Sequence, residues 1–137
     1  MRVKVGHTGG SEQMEKRHQI LLVDDSQETV EGLKCFLDQK YEVFTASNGL
    51  EALKEFGENE KHLDLVITDL VMPLISGVGV ISLLKKQSPQ TPILAMTGWG
   101  KHPSELATEA KADMTLMKPF DLEDLDRSVS KLLSARR

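Results

Sequence analysis

Five residues with charged or nucleophilic side chains lie at the ends of short apolar runs: Asp24, Asp25, Asp69, Thr97 and Lys118. The apolar runs cover residues 20–23, 63–68, 93–96 and 114–117. If these runs are parallel strands, their carboxyl ends share one edge of a sheet, and the five side chains converge there. Three carboxylates, a hydroxyl and an ammonium in one place can bind a hard divalent cation and act on a phosphoryl group.

The adjacent acids Asp24 and Asp25 are the first sign of a cation site. Two carboxylates ~5 Å apart repel each other by roughly 3 kcal/mol at an effective dielectric constant of about 20. With Asp69 and Lys118 added, the group keeps two uncompensated negative charges, which one Mg²⁺ ion would cancel. Alone, the acid pair is open to another interpretation as a solvent-facing helix cap. Thr97 alone is equally a turn residue, and Lys118 alone a surface lysine.

Asp69 ends an apolar run and opens into a loop, in a segment that reads TDLVMP over residues 68–73. A carboxylate there can attack phosphorus as a nucleophile and form an aspartyl phosphate. Thr97, followed by Gly98, offers a hydroxyl to one phosphoryl oxygen, and Lys118 offers positive charge to another. Phosphoryl transfer depends mainly on positioning and charge neutralisation, so a metal, a lysine and a hydroxyl are sufficient.

The pattern of apolar residues predicts five strands that alternate with five helices. Strands are expected at about 19–23, 41–46, 63–68, 93–96 and 113–117. Helices are expected to begin near Ser26, at Ser47 or Asn48, after Gly77, at Pro103 (running to about Lys111) and at Asp121. The strands are continuous apolar runs, which indicates a parallel sheet buried between helix layers. Residues 1–18 are polar and aperiodic, so we expect a flexible N-terminal tail and one domain over residues 19–137.

Composition narrows the function classes. The 137 residues are 39% hydrophobic and 28% charged, and the net charge of −4 argues against nucleic acid as a direct partner. No apolar stretch approaches the ~20 residues that span a bilayer, so no membrane insertion is expected, and the N-terminus lacks the apolar core of a secretory signal. The single cysteine, Cys35, excludes an internal disulfide, and its place beside core positions predicts a buried or half-buried thiol. We therefore expect a cytoplasmic protein.

Four motifs carry a family resemblance: Val23-Asp24-Asp25, the segment 69–73, Thr97-Gly98 and Lys118-Pro119-Phe120. In their order and approximate spacing, over about residues 19–134, they resemble the receiver domain of two-component response regulators. The resemblance implies an α/β fold, a doubly wound, flavodoxin-like sheet of five parallel strands in the order 2-1-3-4-5 with five helices. It also implies a cis peptide bond between Lys118 and Pro119.

The same resemblance implies a role for each site residue. Asp69 is the phosphoacceptor. The ligands of Mg²⁺, or of Mn²⁺ in its place, are Asp24, Asp25, Asp69 and the backbone carbonyl of Val71. Thr97 and Lys118 contact the phosphoryl group and act as the switch.

The resemblance also implies what the protein interacts with. A sensor histidine kinase or a histidine phosphotransfer protein supplies the phosphoryl group. A downstream protein target binds the surface formed by the predicted fourth helix, fifth strand and fifth helix. The chain is then not an enzyme beyond catalysing its own phosphorylation and dephosphorylation. Its extent suggests a stand-alone module that signals through protein contacts.

Three features depart from the family pattern. Thr115 stands where an aromatic residue usually follows the movement of the hydroxyl, and Lys111 stands where a glycine is frequent. The stretch from Thr97 to Lys118 is also about one residue short. Trp99 is a candidate for the aromatic role. In the family, the side chains two residues after the phosphoacceptor and two after the Thr or Ser flank the path of hydrolytic water. Here they are Val71 and Trp99, and because both are apolar we expect slow self-dephosphorylation.

Three other functions remain open at this point. One is an interaction module of the same fold that binds regardless of phosphorylation, which Thr115 favours. Another is an aspartate-nucleophile phosphatase, although such an enzyme would want an acid at position 71, where this chain has Val71. The last is a flavodoxin-like binder of FMN, which Asp24 and Asp25 disfavour because they would repel its phosphate.

Overall fold

The computed structural model of the chain describes residues 17–59, 63–72, 76–98 and 111–135. Five strands and four helices lie in these ranges. In chain order they are β1 (Gln19–Val23), α1 (Gln27–Leu37), β2 (Glu42–Ala46), α2 (Gly49–Asn59), β3 (Leu65–Asp69), α3 (Gly77–Gln87), β4 (Ile93–Thr97), β5 (Met114–Met117) and α4 (Leu122–Ala135).

The described ranges thus hold four helices where the sequence predicts five. The segment predicted as the further helix, from Pro103 to about Lys111, lies outside these ranges except for its last residue. Lys111 lies in a turn with a φ of 68°, so this residue is not part of a helix, whereas the predicted helix ran to about this position. Most of the predicted tail, residues 1–16, is also outside the described part, and the domain boundary stays a prediction.

The five strands form one parallel sheet in the order β2-β1-β3-β4-β5, which confirms the predicted flavodoxin-like topology. Two strand ends differ from the prediction. Asp69 and Thr97 are the last residues of β3 and β4 rather than the first residues after them. Strand pairing extends that far because Asp69 is in register with Met96, and Thr97 with Met117.

Helices cover both faces of the sheet and divide the core into two clusters. On one face, Phe56 of α2 and Ile81 of α3 pack with Leu21 and Val66. On the other face, α1 and α4 pack against the strands, and Leu37 and Val129 belong to that cluster. The sheet is thereby held between two helix layers, as the continuous apolar runs predict.

Burial on both faces is complete only in the central strands. In β1, β3 and β4 nearly every residue is buried, whereas β2 has one exposed and two partly buried residues, and β5 alternates between partly buried and exposed residues. An edge strand has a neighbour on one side only, so the prediction of continuous burial was wrong for β2 and β5. Cys35 was also predicted wrongly: it is an exposed free thiol on α1.

The loops that follow β1 and β2 are short, and each is anchored by a side-chain cap at the start of the next helix. Ser26 caps α1, with its hydroxyl accepting from the Thr29 amide at 3.3 Å, and the Asn48 side chain accepts from the Glu51 amide at 2.9 Å. The peptide bond between Lys118 and Pro119 is cis, as the resemblance implied.

In the described ranges, no helix has both the length and the apolar character needed to cross a membrane.

Candidate functional site

The acid pair lies directly after β1, and its two members differ in exposure. Asp24 is only 1% exposed, whereas Asp25 faces solvent. The Asp24 backbone amide donates to the Ala46 carbonyl at 3.1 Å, and its carboxylate Oδ1 accepts from the Ser26 amide at 2.9 Å. These bonds fix Asp24 from both its backbone and its side chain. The pair is therefore not simply a solvent-facing cap.

Asp69 brings a third carboxylate to the same edge of the sheet. It is 7% exposed, and its Oδ1 accepts a hydrogen bond from the Val71 amide at 3.3 Å. Carboxylate oxygens of Asp24, Asp25 and Asp69 all lie within 4.8 Å of one another. Because β1 and β3 are adjacent parallel strands, their carboxyl ends place these acids together, as the sequence predicts.

Lys118 supplies a positive charge to this cluster from the end of β5. Its Nζ lies 3.1 Å from Oδ2 of Asp24 and 3.6 Å from Oδ2 of Asp69. Its backbone amide donates to the Thr97 carbonyl at 2.7 Å, which ties the lysine to the neighbouring strand. Among the described residues, one ammonium faces three carboxylates, so their negative charge exceeds the positive charge.

The other predicted site residues have different surroundings. Thr97 is buried at the end of β4, beside the register partner of Asp69. Val71 is 63% exposed, and Thr115 is exposed on the edge strand β5. Trp99 lies outside the described residues, so its proposed aromatic role stays a prediction.

The electrostatics of Asp69 reflect its burial. Desolvation raises the pKa of the Asp69 carboxyl above its ordinary value, and the charges of Asp24 and Asp25 raise it further. The Lys118 ammonium and the Val71 amide act in the opposite direction, without cancelling the effect of burial. A buried carboxyl that ionises with difficulty beside two other acids gains stability from a nearby cation.

The donor set fits a hard divalent cation. Mg²⁺ prefers oxygen ligands, of which one or two are carboxylates, and keeps several waters. Asp24, Asp25 and Asp69 offer such oxygens, and a cleft of about 130 Å³ opens beside the first two. Thr45, Ser47 and Glu51 also line this cleft. The three carboxylates could therefore hold a divalent cation, and the cleft leaves room for solvent beside Asp24 and Asp25.

Two residues that the sequence reasoning did not assign to the site contact the backbone of Asp69. The Thr68 hydroxyl donates to the Asp69 carbonyl at 3.0 Å, and Gly77 lies against the same carbonyl. In the sequence-based prediction, Gly77 only marks the start of the third helix, and Thr68 is only the last residue of the third strand. A glycine at the start of a helix, eight positions after the candidate nucleophile, was the available signal.

Comparison with known proteins identifies the family. The family model described as the response regulator receiver domain matches residues 20–130. The chain belongs to this family.

Two curated relatives of this receiver domain are named as transcriptional regulatory proteins. A Haemophilus influenzae protein, the transcriptional regulatory protein CpxR homolog, is 35% identical over 116 residues, which cover 83% of this chain and 49% of the relative. The Bacillus subtilis alkaline phosphatase synthesis transcriptional regulatory protein PhoP is 36% identical over 116 residues, which cover 83% of this chain and 48% of the relative. The chain spans about half the length of these relatives, which lend no support to the expectation of a stand-alone module.

Solved structures of receiver proteins share the fold closely. A response regulator receiver domain from Clostridium thermocellum is 32% identical with a TM-score of 0.81, covering 86% of this chain and 95% of that one. The response regulator TrrA from Thermotoga maritima, solved in complex with Mg²⁺-BeF, is 39% identical with a TM-score of 0.76. That match covers 84% of this chain and 98% of TrrA.

Proposed function

We propose that this receiver domain accepts a phosphoryl group on Asp69 in the presence of Mg²⁺ and thereby switches a protein-binding surface. One observation carries the proposal: carboxylate oxygens of Asp24, Asp25 and Asp69 lie within 4.8 Å of one another, with the Lys118 Nζ 3.6 Å from Asp69. This arrangement combines a nucleophile, a cation site and a fixed positive charge. Phosphoryl transfer requires little else.

Asp69 is the nucleophile in this proposal. An oxygen of its carboxylate forms a bond to phosphorus while the bond from phosphorus to the donor breaks, and the electron pair of that bond leaves with the donor. The Val71 amide, bonded to Oδ1 at 3.3 Å, orients the carboxylate. The Asp69 carboxyl must be ionised to attack. Burial raises its pKa and so disfavours the ionised form, which a nearby cation would stabilise.

Mg²⁺, or Mn²⁺ in its place, would be held by the carboxylates of Asp24, Asp25 and Asp69 and by the Val71 carbonyl. When bound, the ion neutralises charge on the phosphoryl oxygens. The TrrA neighbour, solved with Mg²⁺-BeF, supports this assignment of the metal. Lys118 would shift its attraction from the acids to a phosphoryl oxygen, and the Thr97 hydroxyl would donate to another.

The partners follow from this chemistry. A sensor histidine kinase or a histidine phosphotransfer protein would supply the phosphoryl group from a phosphoimidazole. A downstream protein would read the result, because modification at the end of β3 biases the neighbouring ends of β4 and β5 between two states. The cytoplasm is the proposed compartment, since Cys35 is an exposed free thiol and suits a reducing environment.

The chain would thus catalyse only its own phosphorylation and its own dephosphorylation. A phosphatase acting on other molecules is less well supported, because Val71, two residues after Asp69, is apolar and 63% exposed. Such a side chain cannot protonate a leaving group. The interaction module that ignores phosphorylation remains the second candidate, since Thr115 on β5 is exposed and is not aromatic.

Intact-mass spectrometry after incubation with acetyl phosphate and Mg²⁺ tests the proposal. The wild type should gain one phosphoryl group, and Asp69→Asn should gain none. Asp38→Asn is the matched control, because Asp38 pairs with Lys34 at the end of α1, away from the site, and should be modified like the wild type. Absence of modification in the wild type, with Mg²⁺ bound, would favour the phosphorylation-independent module.

A further inference from the structure

Gly77, the first residue of α3, lies against the backbone that carries Asp69. A Cβ atom at position 77 would overlap the Asp69 carbonyl oxygen and lie 2.6 Å from the Leu70 Cα and 2.8 Å from the Asp69 carbonyl carbon. All three obstructing atoms belong to the backbone, so no side-chain rotation makes room. The close approach of α3 to the end of β3 therefore requires glycine at this position.

Backbone hydrogen bonds lock this contact into the sheet. The Gly77 amide donates to the Leu70 carbonyl at 3.1 Å, which closes the segment between β3 and α3 at its base. The Leu70 amide in turn donates to the Met96 carbonyl at 3.0 Å, so the same residue is also held by β4. Val71 is the next residue in the chain, and its amide donates a hydrogen bond to the Asp69 carboxylate. A displacement of Gly77 would thus be transmitted to the groups around that carboxylate.

Thr68 contacts the same carbonyl group from inside the sheet. Its side chain is fully buried, and its hydroxyl donates to the Asp69 carbonyl oxygen at 3.0 Å. The Asp69 carbonyl is therefore contacted by the Thr68 hydroxyl and by the unsubstituted Cα region of Gly77. Neither residue contributes a carboxylate to the cation site.

We propose that Gly77 and Thr68 are positioning residues for Asp69. They fix the orientation of the Asp69 peptide, so that its carboxylate stays within reach of those of Asp24 and Asp25. The inference rests on the proposed function and adds two determinants to it. Metal and phosphoryl sites are sensitive to such support, because outer contacts typically change metal affinity or activity by about 10–100-fold.

Gly77→Ala in the full chain is the first test, with Gly32→Ala as its matched control. Gly32 lies on α1, and a Cβ there would meet no atom within 4 Å. Mg²⁺ affinity is measured by calorimetry well below the melting temperature, and phosphorylation rate is measured with acetyl phosphate. Gly77→Ala should weaken Mg²⁺ binding and slow phosphorylation by about 10–100-fold. Gly32→Ala should match the wild type in both.

Thr68→Val and Thr68→Ser provide a second test that does not depend on the folding of Gly77→Ala. Valine keeps the shape of Thr68 but removes the hydroxyl, so Mg²⁺ affinity should fall severalfold, and serine should restore it. A purely structural role would lower the melting temperature without changing the Mg²⁺ affinity of the folded protein. Wild-type Mg²⁺ affinity in folded Thr68→Val, and in Gly77→Ala where it folds, would overturn the inference.

The wild type separates this inference from the proposed function. If the wild type neither binds Mg²⁺ nor accepts a phosphoryl group, the proposed function fails and the positioning role fails with it. If the wild type does both and the Gly77 and Thr68 variants do so equally well, the positioning role alone fails.

Discussion

The Nζ of Lys118 lies closer to Oδ2 of Asp24, at 3.1 Å, than to Oδ2 of Asp69, at 3.6 Å. Asp24 is also the more deeply buried of the two acids, with 1% of its surface exposed. In this state the lysine is chiefly the counter-ion of a buried carboxylate. The candidate nucleophile is its secondary partner, and this difference leads to the first prediction.

Lys118→Ala should destabilise the protein by about 1–2 kcal/mol when metal is removed with a chelator. The substitution leaves the buried Asp24 without its counter-ion, and the partial exposure of Lys118 reduces the cost below that of a fully buried pair. Added Mg²⁺ should recover part of the loss by replacing the positive charge. Urea unfolding with and without Mg²⁺ measures both effects. Lys34→Ala, which removes an exposed pair with Asp38, is the control and should cost at most about 0.5 kcal/mol.

Asp69→Asn should stabilise the metal-free protein by about 0.5–2 kcal/mol at neutral pH. The pKa of Asp69 is raised in the folded protein, chiefly by burial, so the folded state binds the proton more tightly than the unfolded state does. Wild-type stability therefore falls as pH rises from the ordinary aspartate pKa through the raised one. The asparagine variant lacks this dependence.

The difference in melting temperature between Asp69→Asn and the wild type should accordingly be small at low pH and grow as pH rises through that window. Thermal unfolding in a chelator at a series of pH values measures it. A difference that is constant across the series, or a less stable variant at neutral pH, would contradict the electrostatic account of Asp69.

Lys111→Gly should stabilise the protein by about 1 kcal/mol, or ~4 °C in melting temperature. Lys111 has a φ of 68°, in the left-handed region, which costs a residue with a Cβ roughly 1–2 kcal/mol. Glycine removes this cost, although it loses more conformational freedom on folding. Lys111→Ala keeps the Cβ and removes only the charge, so it should show no gain. Equal melting temperatures for the glycine and alanine variants would refute the strain at Lys111.

Val71→Asn should shorten the lifetime of the phosphorylated state severalfold. Val71 is exposed beside the carboxylate that its own amide holds, and an apolar side chain there cannot orient a water molecule towards phosphorus. The wild type should therefore stay phosphorylated for minutes or longer. Loss of the phosphoryl group from purified protein is followed by intact mass, with Leu83→Asn, an exposed apolar position on α3, as control. A wild-type half-life of seconds would contradict this prediction.

Much of the fold could be predicted from the sequence because its strands are apolar runs, each closed by a polar or charged residue. Asp24 and Lys118 follow such runs, and Asp69 ends one, so parallel pairing alone brings their backbones to one edge of the sheet. The strand order is not contained in those runs. It came from the motif resemblance and is confirmed by the pairing of β1 with both β2 and β3.

Features that depend on tertiary contacts could not be predicted. The sequence predicts that Lys118 lies near three acids. It does not show which acid the lysine pairs with, because that depends on how far the side chain reaches across the sheet. The role of Gly77 depends on the approach of α3 to β3, which no local pattern specifies. Cys35 was assigned to the core side of α1, but helical spacing alone did not show that its face is exposed.

The central claim is that Asp69 becomes an aspartyl phosphate, and chemical trapping tests it most directly. Protein incubated with acetyl phosphate and Mg²⁺ is reduced with borohydride, which converts an aspartyl phosphate into homoserine, and the peptides are then sequenced by mass spectrometry. The account predicts homoserine at position 69 and at no other aspartate. Homoserine at position 24 or 25, or none in protein that has gained a phosphoryl group, would contradict it.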